Sequence, residues 1–273
     1  MPSLAGFLLF FIVPFLISVY YCFFKRTGDT TVFLGLSNFK AMFGNAAFRL
    51  AAKNTLVFNG AAIVLLVVLA LLLALFVFKQ IKGIGFFRSV FIYPLVLPTA
   101  SLILVWQLLF DNNGYVNVLI EKLGGQGFDW LGSTMIFWVV LLMFVWKNLG
   151  YCLVLFLAGL NNIPVEHYEA AAIDGANGRQ RFFRITLPAL LPSAVIVVIM
   201  AMANSFKVFK EAYLLAGLYP PESIYLLQHY MNNNFFKLNY QNLSTAAFLV
   251  FAVILVLLFA LLRFQRRVSE DFT

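Results

Sequence analysis

Six long apolar stretches recur along this chain, over about 4–24, 54–78, 86–110, 134–160, 187–214 and 243–264. Each is near or beyond the roughly 20 residues that carry a helix across a hydrocarbon core about 30 Å thick. Polar and apolar positions do not alternate within them as they would in a barrel strand. Lipid offers no partner to bare N–H and C=O groups, so each stretch must satisfy its backbone internally, as a helix. The expected fold class is all-α and integral to the membrane: six transmembrane helices in one domain, 1–273, without internal repeat or linker.

The opening run has no basic residue before it and is too long for the core of a signal peptide, so it is expected to remain in the mature protein. Composition agrees with a lipid-embedded chain. With 63% hydrophobic and 11% charged residues, a water-soluble fold could not cover itself with polar surface. Cys22 and Cys152 both lie in apolar runs and form no disulfide or metal pattern.

A net charge of +8 would suggest nucleic acid in a soluble protein; in a membrane chain it is read first as topology, and no nucleic-acid partner is expected. Six crossings put both termini on the side of loops 79–85 and 161–186. That side holds Lys79, Lys82, Arg88, Arg179, Arg181, Arg184, Arg263, Arg266 and Arg267. The other side has as many basic residues if Lys207 and Lys210 are counted, and Lys25 and Arg26 argue for the reverse orientation. Those residues are spread over longer loops. Density therefore places both termini in the cytoplasm of a multi-pass protein of the cytoplasmic membrane.

The polar segment 161–186 interrupts this apolar pattern. Asn161 and Asn162 can cap a helix, Pro164 suits an early helical position, and Val165–Ala176 holds good helix formers up to Gly175. Gly175 and Gly178 allow a sharp turn, and Arg179–Arg184 can form a second amphipathic piece before Leu187-Pro188. The expectation is a helix–turn–helix outside the membrane. Ala170, Ala171 and Ala172 leave a smooth approach for a partner, with Glu169 as a charge at its edge. Its three arginines would equally suit a helix lying on lipid headgroups.

Glu169, Ala170, Ala171, Gly175, Ile185, Leu187 and Pro188 together resemble the EAA motif of bacterial ABC importer permeases. The longer stretch "LAGLNNIPVEHYEAAAIDGANGRQRFFRITLP" is similar to the carbohydrate, maltose-type branch of that superfamily. "FFRSVFIYPLVLPTASLILVWQLLFDNNGYVN" and "SFKVFKEAYLL" are similar to its third and fifth core spans. The resemblance implies that 161–186, with Asp174 among its residues, is a coupling segment docking on an ATPase. It implies as partners a second permease, two cytoplasmic ATP-binding subunits that bind ATP and magnesium, an extracellular substrate-binding protein, and a carbohydrate substrate moved by alternating access.

Candidate pathway residues are few. Lys147 lies roughly 20 Å from either end of the fourth run, too deep to reach water along the membrane. Beside Asn148 and Tyr151 it predicts a polar strip turned inward, or a structural pair with a carbonyl or an acid. Asn204, Ser205 and Lys207 form a second cluster about 25 Å along the fifth run from Leu187. Lys207 can pair with Glu211 four residues on. The amide and hydroxyl among Phe206, Phe209 and Tyr213 suit a sugar's hydroxyls and CH-rich faces, though the rings can equally pack between helices. Pro94 and Pro98 predict a kink in the third run. The polar segment 217–242 is expected outside the membrane, meeting a binding protein or forming a solvated loop with a short interfacial helix.

No GxxxxGK[ST] occurs, so the chain is expected to hold no nucleotide cofactor and not to be an enzyme. His167-Tyr168-Glu169 lacks the PCxxC of a zinc deaminase, and no metal site is expected. An ion-coupled transporter or channel is the alternative; it would need membrane-embedded carboxylates, and only Glu211, taken as peripheral, is near. A lipid-modifying enzyme lacks a nucleophile and base.

Overall fold

The apolar runs fold as helices, but two of them are broken where proline or polar residues interrupt the backbone ladder. The computed structural model describes residues 2–27, 30–78 and 84–270. Helices α1 (Pro2–Phe7) and α2 (Val13–Phe23) are joined through a π-helical turn over Leu8–Ile12. A hairpin follows, β1 (Phe24–Thr27) against β2 (Thr30–Phe33), with Phe24 opposite Phe33. Next come α3 (Ser37–Gly44), the 33-residue α4 (Ala46–Phe78), α5 (Ile84–Val96), α6 (Thr99–Phe110) and α7 (Tyr115–Lys122). Then follow α8 (Ile136–Asn161), α9 (Val165–Ile173) and α10 (Gly178–Arg181), and, after a second π turn over Phe182–Thr186, α11 (Leu187–Ser205). The chain ends with α12 (Phe209–Ala216), α13 (Leu227–Phe236) and α14 (Tyr240–Glu270).

Both π turns have one cause. Each ends two residues before a proline, Pro14 or Pro188, whose ring crowds the carbonyl four residues back and supplies no N–H. The residue before that proline reaches one further back: Val13 donates to the Leu8 carbonyl, and Leu187 to that of Phe182. A widened turn keeps the ladder continuous.

The third run departs most from a rod. Pro98 disfavours a helical Leu97 and cannot donate, so the helix stops at Val96 and restarts at Thr99, with the legs Val90–Val96 and Thr99–Lys122 bent by 112°. The second run starts earlier than its apolar stretch, at Ala46. The hairpin, α3 and α7 are additions to the all-α expectation. Loop 79–85 with Lys79 and Lys82 lies largely outside the described residues.

The core forms around α8, 67% of whose span window is buried, against 0% for the first span. Along α4, Phe58, Ala62, Leu66, Ala70 and Ala74 recur every four residues and are fully buried, a face of mostly small side chains that packs along α8. Close backbone approach replaces the hydrophobic drive that lipid cannot give. Gly150 of α8 lies directly on α5: a Cβ there would fall within 2.7 Å of Ile92 N and closer still to the Phe91 carbonyl. Asn117 pins the loop after α6, donating to the Asn112 and Phe128 carbonyls at 3.0 and 2.8 Å while accepting from Trp130 Nε1 at 2.8 Å.

Candidate functional site

Lys147, on α8, anchors a polar cavity. Its Nζ donates to Glu211 Oε1 at 2.6 Å and to Thr99 Oγ1 at 3.2 Å. The side chains of this ion pair are only 18% and 11% exposed. One ammonium thus ties α8 to α12 and to the first residue after the proline break. Next to it Asn148 is buried; its Nδ2 donates to the Phe144 carbonyl at 2.8 Å, and its Oδ1 accepts from Asn204 Nδ2 at 3.0 Å. Between these groups is a cavity of about 260 Å³, walled by Leu95, Phe144 and Val208 and faced by Lys147, Asn148, Asn204, Lys207 and Glu211. The helix tightens over Phe206–Val208, where Lys207 N and Val208 N donate three residues back to the Asn204 and Ser205 carbonyls and Gln228 Nε2 donates to the Phe206 carbonyl. Beyond this turn Glu211 faces α8.

Four expectations change here. Glu211 is buried rather than peripheral, and its partner is Lys147 rather than Lys207; the break between α11 and α12 removes the regular spacing that an i,i+4 pair needs. Ser205 is turned away, buried, its Oγ donating to the Met202 carbonyl at 2.8 Å. Tyr151 is half-buried against the core and does not line the cavity. The aromatics follow the packing alternative: Phe206 lines a separate apolar cleft, and Phe209 packs on Tyr213 and His229. Thr99 was missed; its signal was its place directly after Pro98.

The segment after α8 projects as a helix and turn. Asn161 ends α8 and Asn162 is its C-cap, so neither caps α9; Pro164 does so by backbone alone. Helix α9 stops at Ile173 with Asp174 as its C-cap, at the turn expected at Gly175, which takes φ +73°, a conformation open to glycine. Asn177 and Gln180 cap α10 reciprocally, at 2.9 and 2.8 Å. The second piece is no separate helix: through the π turn, α10 continues into α11 and α12 as one span, Gly178–Ala216. Tyr168 OH meets Thr186 Oγ1 at 2.9 Å and ties α9 to that span's base.

Glu169, Ala170, Asp174 and Gly175 are exposed, Ala171 is half-buried, and Ile185, Leu187 and Pro188 are half-buried at the base. Two apolar residues stand out on the same surface, Ile173 at 88% exposed and Val165 at 64%. Asp174, Gly175, Arg181, Arg184 and Ile185 border a cleft of about 320 Å³ inside the turn. Such a surface, small and apolar with acids and arginines at its edge, suits docking by another protein.

The segment 217–242 is not a plain solvated loop. It builds α13, in which His229, Tyr230, Asn233 and Asn234 are buried against α4 and α14. Thr55 Oγ1 of α4 accepts from Leu227 N at 2.9 Å, holding the start of α13. His229 Nδ1 accepts from Leu226 N at 3.2 Å, and burial pushes this histidine down to about 4. His167 is exposed on α9. Among the described residues no three His, Cys, Asp or Glu side chains are grouped as metal ligands.

Comparison with known proteins agrees with this architecture. The family described as "Binding-protein-dependent transport system inner membrane component" matches residues 66–271. The chain is 32% identical over 272 residues to "Probable ABC transporter permease protein YesP" of Bacillus subtilis (strain 168), covering 94% of this chain and 86% of that one. It is 37% identical over 221 residues to "Arabinooligosaccharides transport system permease protein AraP" of the same organism, covering 78% and 69%. Among solved structures, a chain of a bacterial ABC transporter involved in the import of the acidic polysaccharide alginate superposes with a TM-score of 0.83. It is 22% identical and covers 98% of this chain and 93% of that chain, a likeness of fold.

Proposed function

Because the chain belongs to the binding-protein-dependent transport system inner membrane component family, we propose that it is the permease subunit of an ATP-driven importer carrying a carbohydrate across the cytoplasmic membrane. The observation that carries this reading is the exposed turn 165–186, with Glu169, Ala170 and Gly175 on its surface and Ile173 fully presented. It lies in the cytoplasm with both termini and docks on one of two ATP-hydrolysing subunits, which bind ATP and magnesium. A second permease completes the pathway, and an extracellular receptor delivers the sugar.

The chain's own geometry supplies the linkage. Force on α9 passes through the Tyr168–Thr186 hydrogen bond into a span continuous from Gly178 to Ala216. From Leu187 to Asn204 that helix runs about 25 Å at 1.5 Å per residue and ends at the cavity. Rocking of this lever reorients Asn204, Lys207 and Glu211 together, the motion that alternating access requires. Lys147, Asn148 and Asn204 present ammonium and amide groups to sugar hydroxyls.

The test is a pair of changes on the turn. Glu169→Lys reverses an interfacial charge, and breaking such a pair costs about 2–5 kcal/mol; Gly175→Asp strains a backbone held at φ +73°. Both variants should insert normally, lose ATPase subunits on purification, and lose ATP-dependent uptake. Normal uptake in both removes the coupling role. Transport driven by an ion gradient and indifferent to ATP transfers the reading to an ion-coupled carrier.

A further inference from the structure

We propose that the cavity between α8 and the α11–α12 break selects a carbohydrate bearing a carboxylate, and that Lys207 is the residue that reads it. This rests on the reading of the chain as a sugar permease.

Five polar groups face the cavity, and their charges do not balance. Lys147 is satisfied by Glu211 at 2.6 Å and by Thr99. Asn148 and Asn204 are joined to each other, which leaves Asn204 Oδ1 and one N–H to meet hydroxyls. Lys207 lines the same space as an exposed residue, and among the described residues no carboxylate lies within ion-pair distance of it. The one acid of the cavity is already committed to Lys147. An uncompensated ammonium remains, beside a pair set 11 residues, or about 16 Å, in from the start of α8.

A neutral sugar entering there would displace part of the hydration of this exposed ammonium without supplying a counter-charge. A uronic acid brings the missing charge and keeps its ring hydroxyls for the two asparagines. At about 260 Å³ the space is just below the usual range for ligand pockets, so it accepts one sugar ring at a time.

The test uses the complete importer, both permeases with ATPases and receptor, in proteoliposomes. The probes are di- and trisaccharides of galacturonate, glucuronate and mannuronate, each against its neutral counterpart. Wild type should take up at least one uronate in an ATP-dependent way. Lys207→Gln should lower the uronate-to-neutral ratio of kcat/KM at least about tenfold, the scale of one charged hydrogen bond, while Lys207→Arg keeps it. A ratio within one preparation is indifferent to lost assembly, which lowers both uptakes alike. Uptake of neutral sugars only, or an unchanged ratio in Lys207→Gln, as when an acid of the second permease holds this lysine, overturns the inference and leaves the permease reading standing. Absence of ATP-driven uptake for every sugar overturns both.

Discussion

Removing one partner of the Lys147–Glu211 pair should destabilise the fold far more than removing both. The pair is 2.6 Å long, and its side chains are 18% and 11% exposed. Lys147→Met leaves the Glu211 carboxylate buried without a cation, and Glu211→Gln leaves the ammonium without its anion. Such half-removals cost about 3–5 kcal/mol, whereas replacing a buried pair by well-packed neutral groups is often close to neutral. Residual hydration argues for the lower half of that range. Lys147→Met also deprives Thr99 Oγ1 of its donor at 3.2 Å, worth about 1 kcal/mol. The Thr99 loss is common to Lys147→Met and the double variant and cancels, so the double should cost less than either single and far less than their sum. Four proteins in nanodiscs, unfolded by heat or denaturant and followed by circular dichroism, give the cycle. If the two singles add within about 0.5 kcal/mol, or each costs under about 1 kcal/mol, the pair does not hold α8 to α12 and the argument fails.

Two other consequences are independent of this pair. Gly150→Ala places a methyl within 3 Å of the α5 backbone at Phe91–Ile92; it should cost about 1–3 kcal/mol by overpacking, whereas Gly60→Ala, with open space around it, should cost nothing measurable in the same melts. His229 is fully buried and its value falls from the ordinary 6.5 to about 4 by desolvation. A folded value below the unfolded one means that the neutral ring's contribution is complete above about pH 6.5 and is lost as pH falls toward 4. Melts from pH 7 to pH 4 should show that acid limb in wild type and a shallower one in His229→Gln, which retains an acceptor and does not titrate; equal limbs would refute the assignment.

The length and evenness of the apolar runs were enough for the membrane class, because a lipid-embedded backbone has no alternative to helices. The turn at 175 was legible as well: glycine between helix formers and a polar stretch marks a chain reversal through local chemistry alone. A kink at Pro98 was foreseeable for the same reason, since a missing donor is a property of one residue. The partner of Lys147 was not. Glu211 is 64 positions away, and the nearer candidate, Lys207, sits in the tightened turn at 206–208, where backbone bonds reach three residues back. Ser205 and Tyr151 fell outside the cavity because a helix apolar along most of its length carries no amphipathic signal of its rotation; only the neighbours' shapes, such as Gly150 against α5, set which side looks inward. Nor does composition separate α13 from a solvated loop, because Asn233, Asn234 and His229 are polar in sequence yet lie buried against α4 and α14. Local backbone chemistry thus decided where helices begin, bend and stop, while packing between distant segments decided which of their few polar groups meet.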